Sequence, residues 1–241
     1  MKKIFTIFML GALFTSNLSV FAVTPLNNIS VVRDDRQVKD FTGVAAGGPI
    51  DVIVKFGTQE SLRFEGDKEA ISTLVSQVKG GILIIRPQTS WMSWAKKYEN
   101  KKITAYVTVK ALSSVAMSGN GSLLVNGTAK AAEFAVTLSG SGNVKLNVEA
   151  DKITGVLSGS GNIELNGSAK NASVTLSGGG NFGGKSLVID QLSARISGSG
   201  NINLKTDGSI SAFISGSGHV YYTGNPEIKK TVIGSGGVTE H

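Results

Sequence analysis

Residues 157–163 read Leu-Ser-Gly-Ser-Gly-Asn-Ile: an apolar residue, a glycine-rich corner, an amide, and an apolar residue again. The phrase returns at 138–144, 176–182, 196–202 and 214–220, where His219 replaces the asparagine, and altered copies stand at 117–123 and 233–238. Its first glycine marks the period. Gly119, Gly140, Gly159, Gly178, Gly198, Gly216 and Gly234 are separated by 21, 19, 19, 20, 18 and 18 residues. A period this short and regular predicts one coil of a stacked solenoid per repeat.

Aligning the repeats produces columns. Met117, Leu138, Leu157, Leu176, Ile196, Ile214 and Ile233 precede the corners, and Leu123, Val144, Ile163, Phe182, Ile202, Val220 and Val238 follow them. Apolar and polar residues alternate on both sides, the pattern of short strands with one buried face. Strands of successive coils then pair in parallel, because a single coil cannot bury its own apolar side. The glycines supply corners that tolerate positive φ and close backbone approach. Between corner and apolar exit runs a polar column, Asn143, Asn162, Asn181, Asn201 and His219, read as a structural hydrogen-bonded ladder. Amides are weak metal ligands and no carboxylate joins them, so no metal is expected there.

A further copy is hidden upstream, in Val44-Ala-Ala-Gly-Gly-Pro-Ile50-Asp-Val52, giving about eight coils in all. It is separated from the strand at Ile103 to Val109 by a non-repeating excursion over 53–102. Within it, Ala70, Ile71, Leu74, Val75 and Val78 have helical spacing, with Asp67 as N-cap and Gly80-Gly81 as the stop. Ile82 to Ile85 reads as a buried strand ended by Pro87. The organisation expected is a signal peptide over 1–22, an extension over 23–37, and one solenoid over 38–241. Lys2 and Lys3, the apolar run Ile4 to Phe14, and Val20-Phe-Ala22 are the three parts of an export signal. The mature chain is then periplasmic, cell-surface or secreted, with no transmembrane segment after cleavage.

The chain has no cysteine, so stability must come from stacking rather than disulfides. Its formal charge of +7 includes two signal-peptide lysines, and the repeat lysines are dispersed. Nucleic acid is therefore not an expected partner. Catalysis is not expected either. Acid–base chemistry on a sheet face needs clustered carboxylates, and the outward columns before the corners, such as Ala135, Thr154, Ser173, Ser193 and Ser211, hold none. The glycine-rich turns carry Asn or Ser where calcium-binding nonapeptides carry Asp, and no Gly-Lys-Ser/Thr phosphate loop occurs. No cofactor is expected.

One segment breaks the pattern. Residues 90–102 hold both tryptophans of the chain, a tyrosine and four lysines. Trp91, Trp94 and Tyr98 share a helical face, with Lys96, Lys97, Lys101 and Lys102 largely elsewhere. They form the candidate ligand-binding set, the aromatics for stacking and the lysines for anionic groups. The competing reading is an amphipathic helix that covers the solenoid with its aromatic face inward.

Phe41-Thr-Gly-Val44, Gly47-Gly-Pro-Ile-Asp-Val52, the strand before Leu112 and the phrases at 158–163 and 197–202 together resemble the head GIN domain family of exported bacterial auto-transporter adhesins. The resemblance spans roughly residues 38–240. It implies a right-handed parallel β-helix and a role in adhesion, and it brings no established catalytic residues. The function expected is a non-enzymatic binding protein recognising glycan or another cell-envelope component. A carbohydrate-active β-helix enzyme and a purely structural envelope protein are the alternatives.

Overall fold

The computed structural model describes residues 31–99 and 101–240; the export signal read at 1–22 lies outside them. The protein is a parallel β-solenoid of about seven turns with two short helices. Eight glycine corners stack above one another, at Gly48, Gly119, Gly140, Gly159, Gly178, Gly198, Gly216 and Gly234.

The first coil is made by β2 (Gly43–Gly47) and β3 (Asp51–Phe56), and the second begins with β8 (Ser114–Gly119). Strands β9 (Ser122–Gly140), β10 (Asn143–Gly159), β11 (Asn162–Gly178) and β12 (Asn181–Gly198) each wrap from one corner to the next. Shorter strands finish the stack: β13 (Asn201–Lys205), β14 (Ser209–Gly216), β15 (His219–Thr223), β16 (Glu227–Ile233) and β17 (Gly237–Glu240). Their pairing is parallel, Leu138 to Leu157 to Leu176 to Ile196 to Ile214. Identical positions therefore lie above one another and form continuous apolar columns, each of these five residues 1% exposed or less. Where one level is small its neighbour is large: the Phe182 ring fills the space where a Gly155 side chain would stand. Interiors reach crystal-like density by such compensation.

The corner explains its own spelling. Gly159 has φ +123°, and a Cβ there would lie 2.3 Å from the Gly140 carbonyl oxygen. Gly161, the second glycine, would meet the Gly142 oxygen at 2.5 Å. Both approaches exist because the amides of Gly161 and Asn162 donate to the carbonyls of Gly140 and Gly142 in the coil before, each at 3.0 Å. Between the two glycines a side chain points outward and serine is admitted. Gly179 occupies that slot in the one coil spelled with three glycines, and a Cβ there would meet nothing nearer than 4.0 Å.

The last coil corrects the sequence alignment by one residue. Gly234 stacks on Gly216, so Val232 pairs with Ile214 in the apolar column while Ile233 pairs with Ser215. Ile233 faces outward and is 61% exposed. The worn repeat lacks the serine before its first glycine, and a one-residue shift exchanges the faces of a strand. The same register puts Lys230 opposite Ala212, in a column that is apolar at every level beneath it.

The excursion completes the opposite end. Strand β4 (Ser61–Asp67) pairs antiparallel with β7 (Ile103–Val109), which runs parallel to β3, and β1 (Val31–Arg36) adds antiparallel to β4. On the other side β6 (Ile82–Pro87) lies parallel to β2, and β5 (Leu74–Lys79) adds antiparallel to β6. The helix expected over 67–78 is therefore only one turn, α1 (Lys68–Ser72), capped by Asp67 as read, with Oδ1 accepting from the Ala70 amide at 3.1 Å. The rest of that segment is strand. Gly80 and Gly81 have φ of +59° and +73°, a two-residue hairpin turn rather than a helix stop, and such turns match the twist of the strands they join. Arg36 clamps this end. Its guanidinium lies 4.7 Å from the Phe64 ring centroid and donates to the carbonyls of Leu74 at 2.7 Å and Ile71 at 3.0 Å.

Candidate binding face

The segment at 90–102 contributes the helix α2 (Trp91–Lys97), and the described aromatics face inward. Trp94 is 3% exposed and Tyr98 5%. Trp94 Nε1 donates to Thr73 Oγ1 at 2.7 Å, and the Tyr98 hydroxyl donates to Glu69 Oε1 at 3.2 Å. Neither ring offers a stacking surface, which corrects the expectation that they form a ligand platform; the side chain of Trp91 lies outside the described residues. Three of the four lysines are engaged in holding the segment down. Lys97 meets Glu69 at 2.9 Å, Lys101 meets Asp67 at 2.9 Å, and Lys102 approaches Asp51 at 3.9 Å. The Lys97 ammonium also sits 4.9 Å from the Tyr98 ring centroid. Only Lys96 is without an ion-pair partner among the described residues, beside an open cleft it shares with Pro49 and Asn120. Burial of an aromatic face gains more than exposed ion pairs do, so the segment acts as a cover over the first coils.

The amide column lies at the surface rather than inside. Asn143 and Asn181 are exposed, and Asn162, Asn201 and His219 are half-buried. One amide-to-amide rung is formed, Asn201 Nδ2 donating to Asn181 Oδ1 at 3.2 Å. His219 leaves the ladder, its Nδ1 3.0 Å from the Ser217 carbonyl and its ring stacked on Tyr221 with centroids 5.5 Å apart.

A better-formed surface lies on the outward face of β3, β7, β4 and β1, where the register sets side chains from four strands in rows. Ile53, Tyr106, Arg63 and Asp35 make one row. Beside it, Lys55, Thr108 and Ser61 make another, and Thr104, Glu65 and Arg33 make a third. Residues of all three rows line an open cleft of about 430 Å³. Tyr106 stands at its centre, 37% exposed, with half-buried Ile53 beside it. An aromatic ring flanked by hydroxyls and fixed charges can stack on a flat apolar surface while orienting the polar groups at its rim.

The charges on this face are ordered. Arg63 holds Asp35 through two contacts, Nε to Oδ1 at 2.7 Å and Nη2 to Oδ2 at 3.3 Å, and Arg33 Nε meets Glu65 Oε1 at 2.9 Å. The hydrogen bond to Asp35 raises the Arg63 pKa above its ordinary value. Ser61 Oγ donates to Thr108 Oγ1 at 2.9 Å, which orients both hydroxyls along the cleft lining. Sequence reasoning missed these residues. Alternation in Ile103-Thr-Ala-Tyr-Val-Thr-Val109 does place Tyr106 and Thr108 outward, but their neighbours come from β4 and β1, joined by antiparallel pairings that no local pattern encodes.

A family model described as "Putative auto-transporter adhesin, head GIN domain" matches residues 40–226. No curated protein matches the chain. Among solved structures, a "putative adhesin" from Bacteroides fragilis is similar at 22% identity and a TM-score of 0.76, covering 88% of this chain and 97% of that one. A "Putative lipid binding protein" from Parabacteroides distasonis superposes at a TM-score of 0.70 with 23% identity, over 89% of this chain and 98% of the other. A "putative adhesin" from the same organism gives 0.68 at 22% identity, over 89% and 98%. At these identities the likeness shows the solenoid fold. Among the described residues no helix is long and apolar enough to cross a membrane.

Proposed function

We propose, from the premise that the chain belongs to the head GIN domain family of auto-transporter adhesins, that it is an exported, non-enzymatic binding protein of the cell envelope whose ligand is a glycan. The observation that carries this reading is the outward face centred on Tyr106. Sugar rings present a flat C–H face and a hydroxyl rim, and this surface offers an exposed aromatic ring beside two oriented hydroxyls and two ordered ion pairs. The enzyme alternative fits the face less well. Glycoside hydrolysis uses a protonated acid and a free carboxylate across one bond, whereas Asp35 and Glu65 are each engaged by an arginine.

The test is a glycan array and an envelope-polysaccharide pull-down with residues 23–241, run beside Tyr106→Ala. The expected result is retention of a saccharide by the native chain, a loss of at least about tenfold in affinity in the variant, and an unchanged melting temperature. Turnover of a polysaccharide, lost on substitution of Asp35 or Glu65, would establish the enzyme instead.

A further inference from the structure

We infer that the Tyr106 face selects a carboxylate-bearing sugar, with Lys55 as the specificity-determining residue; this rests on the glycan reading above. The face carries three cations, and they are not equivalent. Arg63 is bound to Asp35 and Arg33 to Glu65. Lys55 lines the same cleft, is exposed, and has no carboxylate or hydrogen-bond partner among the described residues. The nearby acids are already committed. Asp35 and Glu65 are held by their arginines, and Asp51 accepts from Ser122 Oγ at 2.7 Å. The face therefore satisfies its own anions and leaves one positive charge uncompensated.

Lys55 is placed where a ring on Tyr106 would need it. It pairs with Thr108, and Ile53 pairs with Tyr106, so Lys55 is the diagonal neighbour of Tyr106 across β3 and β7. Diagonal neighbours on adjacent strands lie on the order of 8 Å apart. A lysine side chain spans most of that distance, and a saccharide stacked on Tyr106 would bring a ring carboxylate to the ammonium. Thr108 and Ser61, hydrogen-bonded to each other in the same row, would meet the adjacent hydroxyls. A neutral sugar would gain the stacking but leave the Lys55 charge unanswered, so the preference is carried by a charge-assisted contact.

The probe is an oligosaccharide of uronic acids, compared by calorimetry with the same oligosaccharide after its carboxyl groups are reduced to neutral alcohols. At about 0.15 M salt, where contacts within roughly 8 Å still act, the native chain should bind the acid form at least about tenfold more tightly, and the preference should shrink as salt rises. Lys55→Gln should abolish the preference while leaving affinity for the neutral form within about twofold. Tyr106→Ala should weaken both forms. Equal binding of the two forms by the native chain would overturn the acidic preference and leave the glycan reading standing. A preference that survives in Lys55→Gln would remove Lys55 from the role. Binding of neither form, with a glycan array also blank, would overturn both.

Discussion

From Ser122 to Gly236 the molecule repeats one coil, whereas Val31 to Val109 holds a single copy of it, in β2 and β3 around the Gly48 corner, set among segments that repeat nothing. The repeating part is held by backbone ladders, glycine corners and two apolar columns. Its ion pairs, such as Lys130 with Glu149 and Lys145 with Glu164, are exposed links between consecutive coils and add little. The non-repeating part reverses these proportions. There a capped turn, a hairpin, the Arg36 clamp and the ion pairs of Lys97 and Lys101 hold pieces that differ from one another. Repetition gives a rigid support but offers the same surface at each level. The departures from it gather different side chains, and the candidate face is one of them.

The largest break in this comparison should come from the corner. Gly159→Val places a branched side chain against the Gly140 carbonyl at positive φ, and the expected loss is about 4 kcal/mol or more, read by denaturant midpoint. Next is the cover. Trp94→Ala removes a buried ring and its bond to Thr73, and about 3 kcal/mol should be lost. The excursion meets the repeats through the pairings of β2 with β8 and β3 with β9, so hydrogen exchange should show the loosening over residues 61–110 and spare the more distant 138–220. A uniform loss of protection would merge the two regions into one cooperative unit.

A smaller effect tests the last coil. Val232→Lys puts a charge in the apolar column and should cost about 2 kcal/mol, whereas Ile233→Lys should change the melting temperature very little. Reversal of that order would restore the alignment that placed Ile233 inward. Acid separates the two regions without mutation. The ammonium of Lys101, followed by the Ala70 amide, holds the Asp67 carboxyl below its ordinary value; Lys97 does the same for Glu69, and the Asp40 amide does so for Glu60. Carboxyls lowered on folding contribute stability above their unfolded values, and that contribution is lost as pH falls through the folded ones. The unfolded values are near 3.8 for Asp67 and 4.5 for the two glutamates. Tryptophan emission, which arises only from the α2 segment, should therefore shift below about pH 4 before far-ultraviolet dichroism of the strands declines. Least of all, Gly179→Ser should alter stability by under about 0.5 kcal/mol, since it only restores the spelling of the other corners.

The same division governed what could be read from sequence. Columns 18 to 21 residues apart declare which residues stack, and the apolar positions at Leu138, Leu157 and Leu176 take the places that alternation gives them. Alternation turns amides of the Asn column such as Asn143 outward, and the ladder read there forms the rung between Asn181 and Asn201. Leu74 to Val78 has helical spacing and also fits a strand, and only the pairing of β5 with β6 decides between them. The candidate face needed the β1–β4–β7 register, which joins residues up to 47 apart such as Ser61 and Thr108. Trp94 drew notice because it breaks the repeat, and it does so as a cover.

Lys230 has a consequence for growth. A parallel stack is in principle an unfinished polymer, since each completed coil exposes an edge that templates the next, whether from the same chain or another. At the last described level the column that reads Val136, Gly155, Val174, Ala194 and Ala212 ends in a lysine. An incoming apolar coil would have to bury that ammonium without a counter-charge, so the residue would oppose stacking of a further coil on this edge. Lys230→Val would reopen the end, and light scattering from concentrated protein should rise with time where the native chain stays flat.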